Sequence, residues 1–162
     1  MAIIYCDMDG VLADFKTAAQ RTTGMSINKW MNIPSSKEKW SLIKKKKDFW
    51  STLPWMPGGK QLWSYISKFD PHILSAYVEE SFDPNCIPGK TAWLRRNAGM
   101  TNRSKINLVR RKEKKLFARK GKPSILIDDY EKNVKEFIAN GGKGIHHTNT
   151  SKTIAELKRL GF

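Results

Sequence analysis

Two acidic pairs stand directly behind short apolar runs: Asp7 and Asp9 after Ala2–Cys6, and Asp128 with Asp129 after Ser124–Ile127. Either pair alone could be a polar strand end, or an acidic helix start favoured by the helix dipole. Brought to one place, they imply chemistry. Crowded carboxylates repel, and some are driven to high pKa unless a cation neutralises them. An oxygen-only donor set suits Mg2+, which takes few protein carboxylates and completes its shell with water and phosphate oxygens. The two-residue spacing of Asp7 and Asp9 suits a division of labour. One carboxylate attacks phosphorus, and the other protonates the leaving oxygen and later activates water. Gly10 would let the backbone approach a phosphoryl group with no Cβ in the way. Ser75 could donate a hydrogen bond to that group, and a lysine would be needed to offset transition-state charge.

These residues meet only if the fold places them together. Ala2–Cys6, His72–Leu74 and Ser124–Ile127 read as buried strands, with weaker strand patterns at Lys105–Val109 and Gly144–His147. Helical segments are expected at about Leu12–Thr23, Gln61–Phe69, Lys90–Asn97, Glu131–Asn140 and Ser151–Leu160. The alternation predicts an α/β fold, a three-layer Rossmann-like parallel sheet with helices on both faces. In such sheets ligands sit beyond the carboxyl ends of the strands, where Asp7, Asp9, Gly10, Ser75, Asp128 and Asp129 would lie. Residues 25–58 break the rhythm with four of the six tryptophans and three prolines. They read as a small helical cap, spanning about residues 16–60 and inserted into one domain covering 1–162.

The composition narrows the partners. With 30 Lys and Arg against 15 Asp and Glu, the net charge of +15 favours anions such as nucleotides, nucleic acid or acidic surfaces. Only Cys6 and Cys86 are present, so a disulfide framework and a Cys-rich zinc site are both excluded. The expected setting is reducing and cytoplasmic. No apolar run approaches membrane-spanning length, and no membrane association is expected.

At this point the motifs carry a resemblance. DMDGVLADF at the start, a hydrophobic-Ser step at ILSA, a downstream lysine and ILIDD look like the four ordered motifs of haloacid-dehalogenase-type phosphohydrolases. FWSTLPWMPGG, GKTAWL and LIDD further resemble the 5′(3′)-deoxyribonucleotidase branch. The resemblance implies Mg2+-dependent hydrolysis of nucleoside monophosphates through an aspartyl-phosphate. Asp7 would be the nucleophile and Asp9 the general acid/base. Asp7, Asp128, Asp129 and the backbone carbonyl of Asp9 would hold the metal. Ser75 stands where the family more often has Thr, and Ala76 where Ser follows. Lys90 matches the third-motif lysine, and Phe15, Phe49 and Trp50 fall where that branch lines its nucleobase pocket. Asp14 also matches a family residue and is given no chemistry.

Plainer readings stand beside these. Lys44–Lys47 reads as a solvated helix face, and His146-His147 as exposed strand-end histidines without ligand spacing. The insertion's tryptophans read first as core. PGKT (88–91) lacks the earlier glycine of a phosphate-binding loop, because Pro84 stands there. The basic stretch Arg103–Lys122 could serve solubility alone or draw a polyanionic substrate. Two alternatives to the mononucleotide reading therefore stand: a phosphatase of phosphorylated nucleic-acid ends, and a non-catalytic nucleic-acid-binding module on the same fold.

Overall fold

A computed structural model describes residues 2–119 and 122–162. Lys120 of the basic stretch and Gly121, at the expected entry to the last long strand, lie outside the described residues.

The chain divides into two compact units. The first comprises residues 1–13, 55–76 and 102–162. It is built on five parallel strands: β1 (Ile3–Cys6), β2 (His72–Ala76), β3 (Ile106–Val109), β4 (Ser124–Asp128) and β5 (Lys143–His146), in the order β3-β2-β1-β4-β5. Parallel sheets are covered on both faces, so their central strands are continuously apolar. The fully buried β4 (SILID) and the IIYC run of β1 follow that rule. Flanking them are α4 (Gly59–Ser67), α6 (Glu131–Ala139) and α7 (Thr150–Arg159), together with a nine-residue 3-10 segment, Arg111–Arg119. Tyr5, Leu74, Leu126 and Phe137 form one buried core, against which Phe117 and Ala118 of the 3-10 segment pack. The α/β parallel-sheet expectation is met.

The second unit joins residues 14–54 to 77–101. It contains α1 (Phe15–Thr23), α2 (Ile27–Met31), α3 (Ser36–Lys44) and α5 (Cys86–Ala98). Helix α1 starts at Phe15 rather than near Leu12. The Met8 carbonyl accepts from the backbone N–H groups of Leu12 and Ala13, holding the preceding loop in a tight hook. The Asp14 carboxylate then caps the helix by accepting from Thr17 N and Thr17 Oγ1. Phe15, Trp30, Trp40, Phe49 and Trp50 pack as one aromatic cluster. Buried indole N–H groups need acceptors: Trp30 donates to the Lys39 carbonyl, Trp50 to Asp83 Oδ2 and Trp93 to the Leu53 carbonyl. Gly89 lets α5 close on this cluster, since a Cβ there would lie 2.5 Å from Trp50 Cβ.

No described helix is long and apolar enough to cross a membrane. His146 is exposed as expected, but His147 is buried and bonded through Nδ1 to Thr153 Oγ1 at 2.7 Å. The correction has a local cause: the His147 backbone N–H continues the β4–β5 pairing by donating to the Asp128 carbonyl, which turns its ring inward.

Phe137 has no exposed surface and also faces Gly142, where any Cβ would strike its ring. Phe137→Ala is expected to cost about 3–5 kcal/mol, read by urea denaturation; a loss below 1 kcal/mol would contradict this packing.

Candidate active site

The strand order reverses direction at β1. From there the chain first builds outward through β2 and β3, then returns to the other side of β1 for β4 and β5. Such a switch point opens a crevice at the carboxyl ends of the two strands that flank it. Cys6 pairs with Ile127, so the next residues, Asp7 and Asp128, leave the sheet side by side. Neighbouring strands lie about 4.8 Å apart. Carboxylate oxygens of Asp7, Asp128 and Asp129 accordingly lie within 4.8 Å of one another. Asp9, two residues on, stands outside that trio.

One cation is built in. Lys114, 3 % exposed, points Nζ between two of the carboxylates, 3.0 Å from Asp7 Oδ1 and 2.8 Å from Asp128 Oδ2. Burial pulls the Lys114 ammonium toward losing its proton. Asp7 and Asp128 outweigh that and hold it above the ordinary lysine value. Asp7 is pushed well above the usual carboxylate range by burial and then by Asp128, with Lys114 opposing. Asp129 is pushed up to about 6 by burial and Asp128, again against Lys114. Three carboxylates this close oppose one another's ionisation.

That crowding tests the fit of a metal. Three ionised carboxylates against one ammonium leave two negative charges to be neutralised. A hard divalent cation would meet all of it, using oxygen donors alone. Gly10 (φ +81) stands directly against Asp129, and a Cβ there would collide with the Asp129 carboxylate. The glycine therefore makes room for a candidate metal ligand.

The supporting network is specific. Asp128 Oδ1 accepts from the Tyr130 backbone N–H at 2.9 Å, and Oδ2 accepts from Asn133 Nδ2 at 3.1 Å. Arg111 Nη1 donates to Asn133 Oδ1 at 2.9 Å and to Glu136 Oε2 at 3.0 Å. A guanidinium can only donate, so it turns the Asn133 amide until its NH2 faces Asp128.

Among the residues expected from sequence, Asp7, Asp128 and Asp129 are brought together, with Gly10 against Asp129. Ser75 is buried on β2 opposite Leu108 of β3, and Ala76 ends the strand. Lys90 lies on α5 in the second unit, buried, with Nζ 5.3 Å from the Trp50 ring centroid. The lysine on Asp7 and Asp128 is Lys114, which the sequence reading held only as one member of a basic stretch. Phe15, Phe49 and Trp50 belong to the aromatic cluster of the second unit, and Phe49 also borders a cavity of about 370 Å3 with Arg21, Lys46, Thr22 and Thr52.

Lys114 had a findable signal. A 3-10 segment repeats every three residues, and Arg111, Lys114 and Phe117 keep that spacing. All three turn inward: Arg111 to Asn133, Lys114 to the site, and Phe117 to Tyr5 with ring centroids 5.4 Å apart. Asn133 is the one polar member of the buried face formed with Val134 and Phe137 on α6.

No protein-family model matches the sequence, and no curated protein matches it. The fold does have solved counterparts. L-2-haloacid dehalogenase from Xanthobacter autotrophicus is similar over 100 % of this chain and 84 % of its own, with a TM-score of 0.59 and 14 % identity. A hydrolase from Streptococcus pneumoniae TIGR4 matches over 96 % of this chain and 97 % of its own (TM-score 0.55, 11 % identity). A hydrolase from Pseudomonas syringae matches over 99 % and 91 % (TM-score 0.51, 19 % identity). The chain therefore has the α/β fold of haloacid-dehalogenase-type hydrolases. The likeness singles out no branch of that group.

The raised Asp129 pKa has a consequence for stability. Below its ordinary value of 3.8 the carboxyl is protonated whether folded or not, and above about 6 it is ionised in both states. Between these limits the folded form holds the proton more tightly, so this group's contribution to stability falls as pH rises through that window and stays lost above it. In EDTA, thermal unfolding should show this decline, and Asp129→Asn should flatten it. Added Mg2+ should raise Tm more above about pH 6 than below it. A Tm independent of both pH and Mg2+ would contradict the assignment.

Proposed function

We propose that the protein is a Mg2+-dependent phosphoric monoester hydrolase acting on nucleotides through an aspartyl-phosphate on Asp7. The observation that supports this best is buried Lys114 bridging buried Asp7 and Asp128 inside a three-carboxylate cluster. The nucleotide preference, with nucleoside monophosphates as its simplest form, rests on the motifs shared with the deoxyribonucleotidase branch.

An Asp7 oxygen attacks phosphorus, forming an O–P bond as the ester P–O bond breaks. Asp9 gives its proton to the departing oxygen. It then takes a proton from water, whose oxygen attacks the phosphoryl group, releasing phosphate and restoring Asp7. Asp7 must be ionised to attack, and Lys114 is the group that works against its burial to keep it so. The same ammonium offsets charge that develops on the phosphoryl oxygens. Asn133 and Tyr130 N–H fix the Asp128 carboxylate, so Lys114 is held between two anchored partners. Bound at Asp7, Asp128 and Asp129, Mg2+ would supply charge neutralisation and orient the phosphate. Ser75, on the same unit as Asp7, is assigned a contact to the phosphoryl oxygens.

A phosphate-release screen over ribo- and deoxyribonucleoside monophosphates, with and without Mg2+, tests this reading. Asp7→Asn should abolish turnover, and Asp9→Asn should lower kcat by about 10²–10⁴-fold. An Asp7→Asn protein with wild-type turnover would sink the mechanism.

Lys114→Met separates charge from packing. Without the ammonium, Asp7 ionises at higher pH, so the acidic limb of the kcat/KM profile should move upward as the rate falls. An unmoved limb would show that Lys114 does not set the ionisation of Asp7.

A further inference from the structure

The 3-10 segment that sends Lys114 inward sends other cations outward. Lys112 and Arg119 are exposed on it, and Leu116 is 50 % exposed beside them. Consecutive Cα atoms are about 3.8 Å apart, so Lys112 and Lys115 have backbones within about 8 Å of that of Lys114. The segment runs along α6: Arg111 meets Asn133 and Glu136 on the helix, and the Lys115 carbonyl accepts from Asn140 Nδ2 just past its end. On this face Arg111 is hydrogen-bonded to Glu136, and Lys115 and Lys132 both act on the same carboxylate. Three cations thus crowd one acid. The other nearby acids are occupied: Glu131 is paired with Lys135, and Glu113 accepts from the Arg110 backbone.

Tyr130 completes the surface. It follows Asp129 directly, its N–H is fixed on Asp128 Oδ1, and its side chain is half exposed. An exposed aromatic anchored one residue from Asp129 and two before Lys132, at the start of the helix along which the basic 3-10 segment runs, is the combination that holds single strands. Bases stack on the ring while the backbone follows the charge. A duplex end offers no free base faces to such a ring except its last pair, and an acidic peptide has no use for it.

We propose that the surface formed by the 3-10 segment, Lys132 and Tyr130 binds single-stranded nucleic acid, whose terminal phosphate enters the acidic site. The substrate of the proposed hydrolase is then the terminal nucleotide of a strand as well as a free one. This deepens the proposed function and rests on it for the fate of the phosphate, but the binding itself can be tested apart from turnover.

The probe is a fluorescent 5′-phosphorylated oligodeoxythymidylate, its anisotropy followed with the whole protein in EDTA across a salt series. Binding should weaken with salt. Replacing Lys112, Lys115 and Lys132 by Gln should make the log–log slope shallower by about 2, at roughly 0.7 per lost contact. Tyr130→Ala should weaken binding about 5- to 150-fold at every salt concentration, the effect of one lost base stack. A control with the same charge loss elsewhere, Lys60, Lys152 and Lys158 to Gln on α4 and α7, should keep the wild-type slope. The proposal is overturned if the control loses as much slope as the triple variant. It is equally overturned if polyglutamate competes as well as the oligonucleotide, or if Tyr130→Ala binds like wild type. Phosphate release from mononucleotides is read separately. Activity without strand binding removes this surface alone, whereas strand binding with no phosphatase activity removes the hydrolase reading alone.

Discussion

One buried ammonium sits where the rest of the first unit converges. Lys114 Nζ lies between carboxylates that leave neighbouring parallel strands in register, and it opposes the burial that works against an ionised Asp7. Buried ion pairs are weak evidence for stability, because desolvation consumes most of what Coulomb attraction returns. Their value is placement. The arrangement needs a sheet that reverses at β1, a segment that reaches the crevice from outside the sheet, and a partner that orients Asp128. β1 and β4, the 3-10 turns and Asn133 with Arg111 supply these in turn.

Much of this was legible in the sequence for a definite reason. Strands buried on both faces show as unbroken apolar runs, so IIYC and SILI announced themselves and the acids behind them followed. The parallel fold came from strands alternating with helices. The lysine between Asp7 and Asp128 did not come the same way. Helix and strand patterns are sought at periods of 3.6 and 2, and a nine-residue stretch of period 3 falls between them. In a run as basic as RRKEKKLFARK, composition hid the one lysine that turns inward. The resemblance points to Lys90 through its neighbourhood, GKTAWL, whereas no motif of that kind surrounds Lys114. His147 was misread because two adjacent histidines in a strand-end pattern carry no sign of which one faces inward.

The second unit was legible by composition and illegible by connectivity. Clustered tryptophans foretold a separate aromatic core, and each buried indole N–H has the acceptor it requires. Nothing local shows that residues 77–101 join residues 14–54 in one unit. That association depends on long-range fits such as Asp83 receiving the Trp50 N–H and Gly89 admitting its side chain, which no window of neighbouring residues contains.

The charge of the chain and the charge of its site have opposite signs, and distance reconciles them. At physiological ionic strength the Debye length is about 8 Å, so an approaching anion responds first to a protein with twice as many basic as acidic residues. Only within a few ångströms does it meet the carboxylates, where a phosphate would be repelled. On the proposed mechanism that last step requires compensation, from Lys114 for one charge and from a divalent cation for the remainder. A site with more lysines and fewer acids would hold phosphate more easily, but it would have no ionised oxygen to attack with. On that mechanism the acidity of the crevice is what attack on phosphorus demands, and the basicity of the chain is what draws an anion toward it.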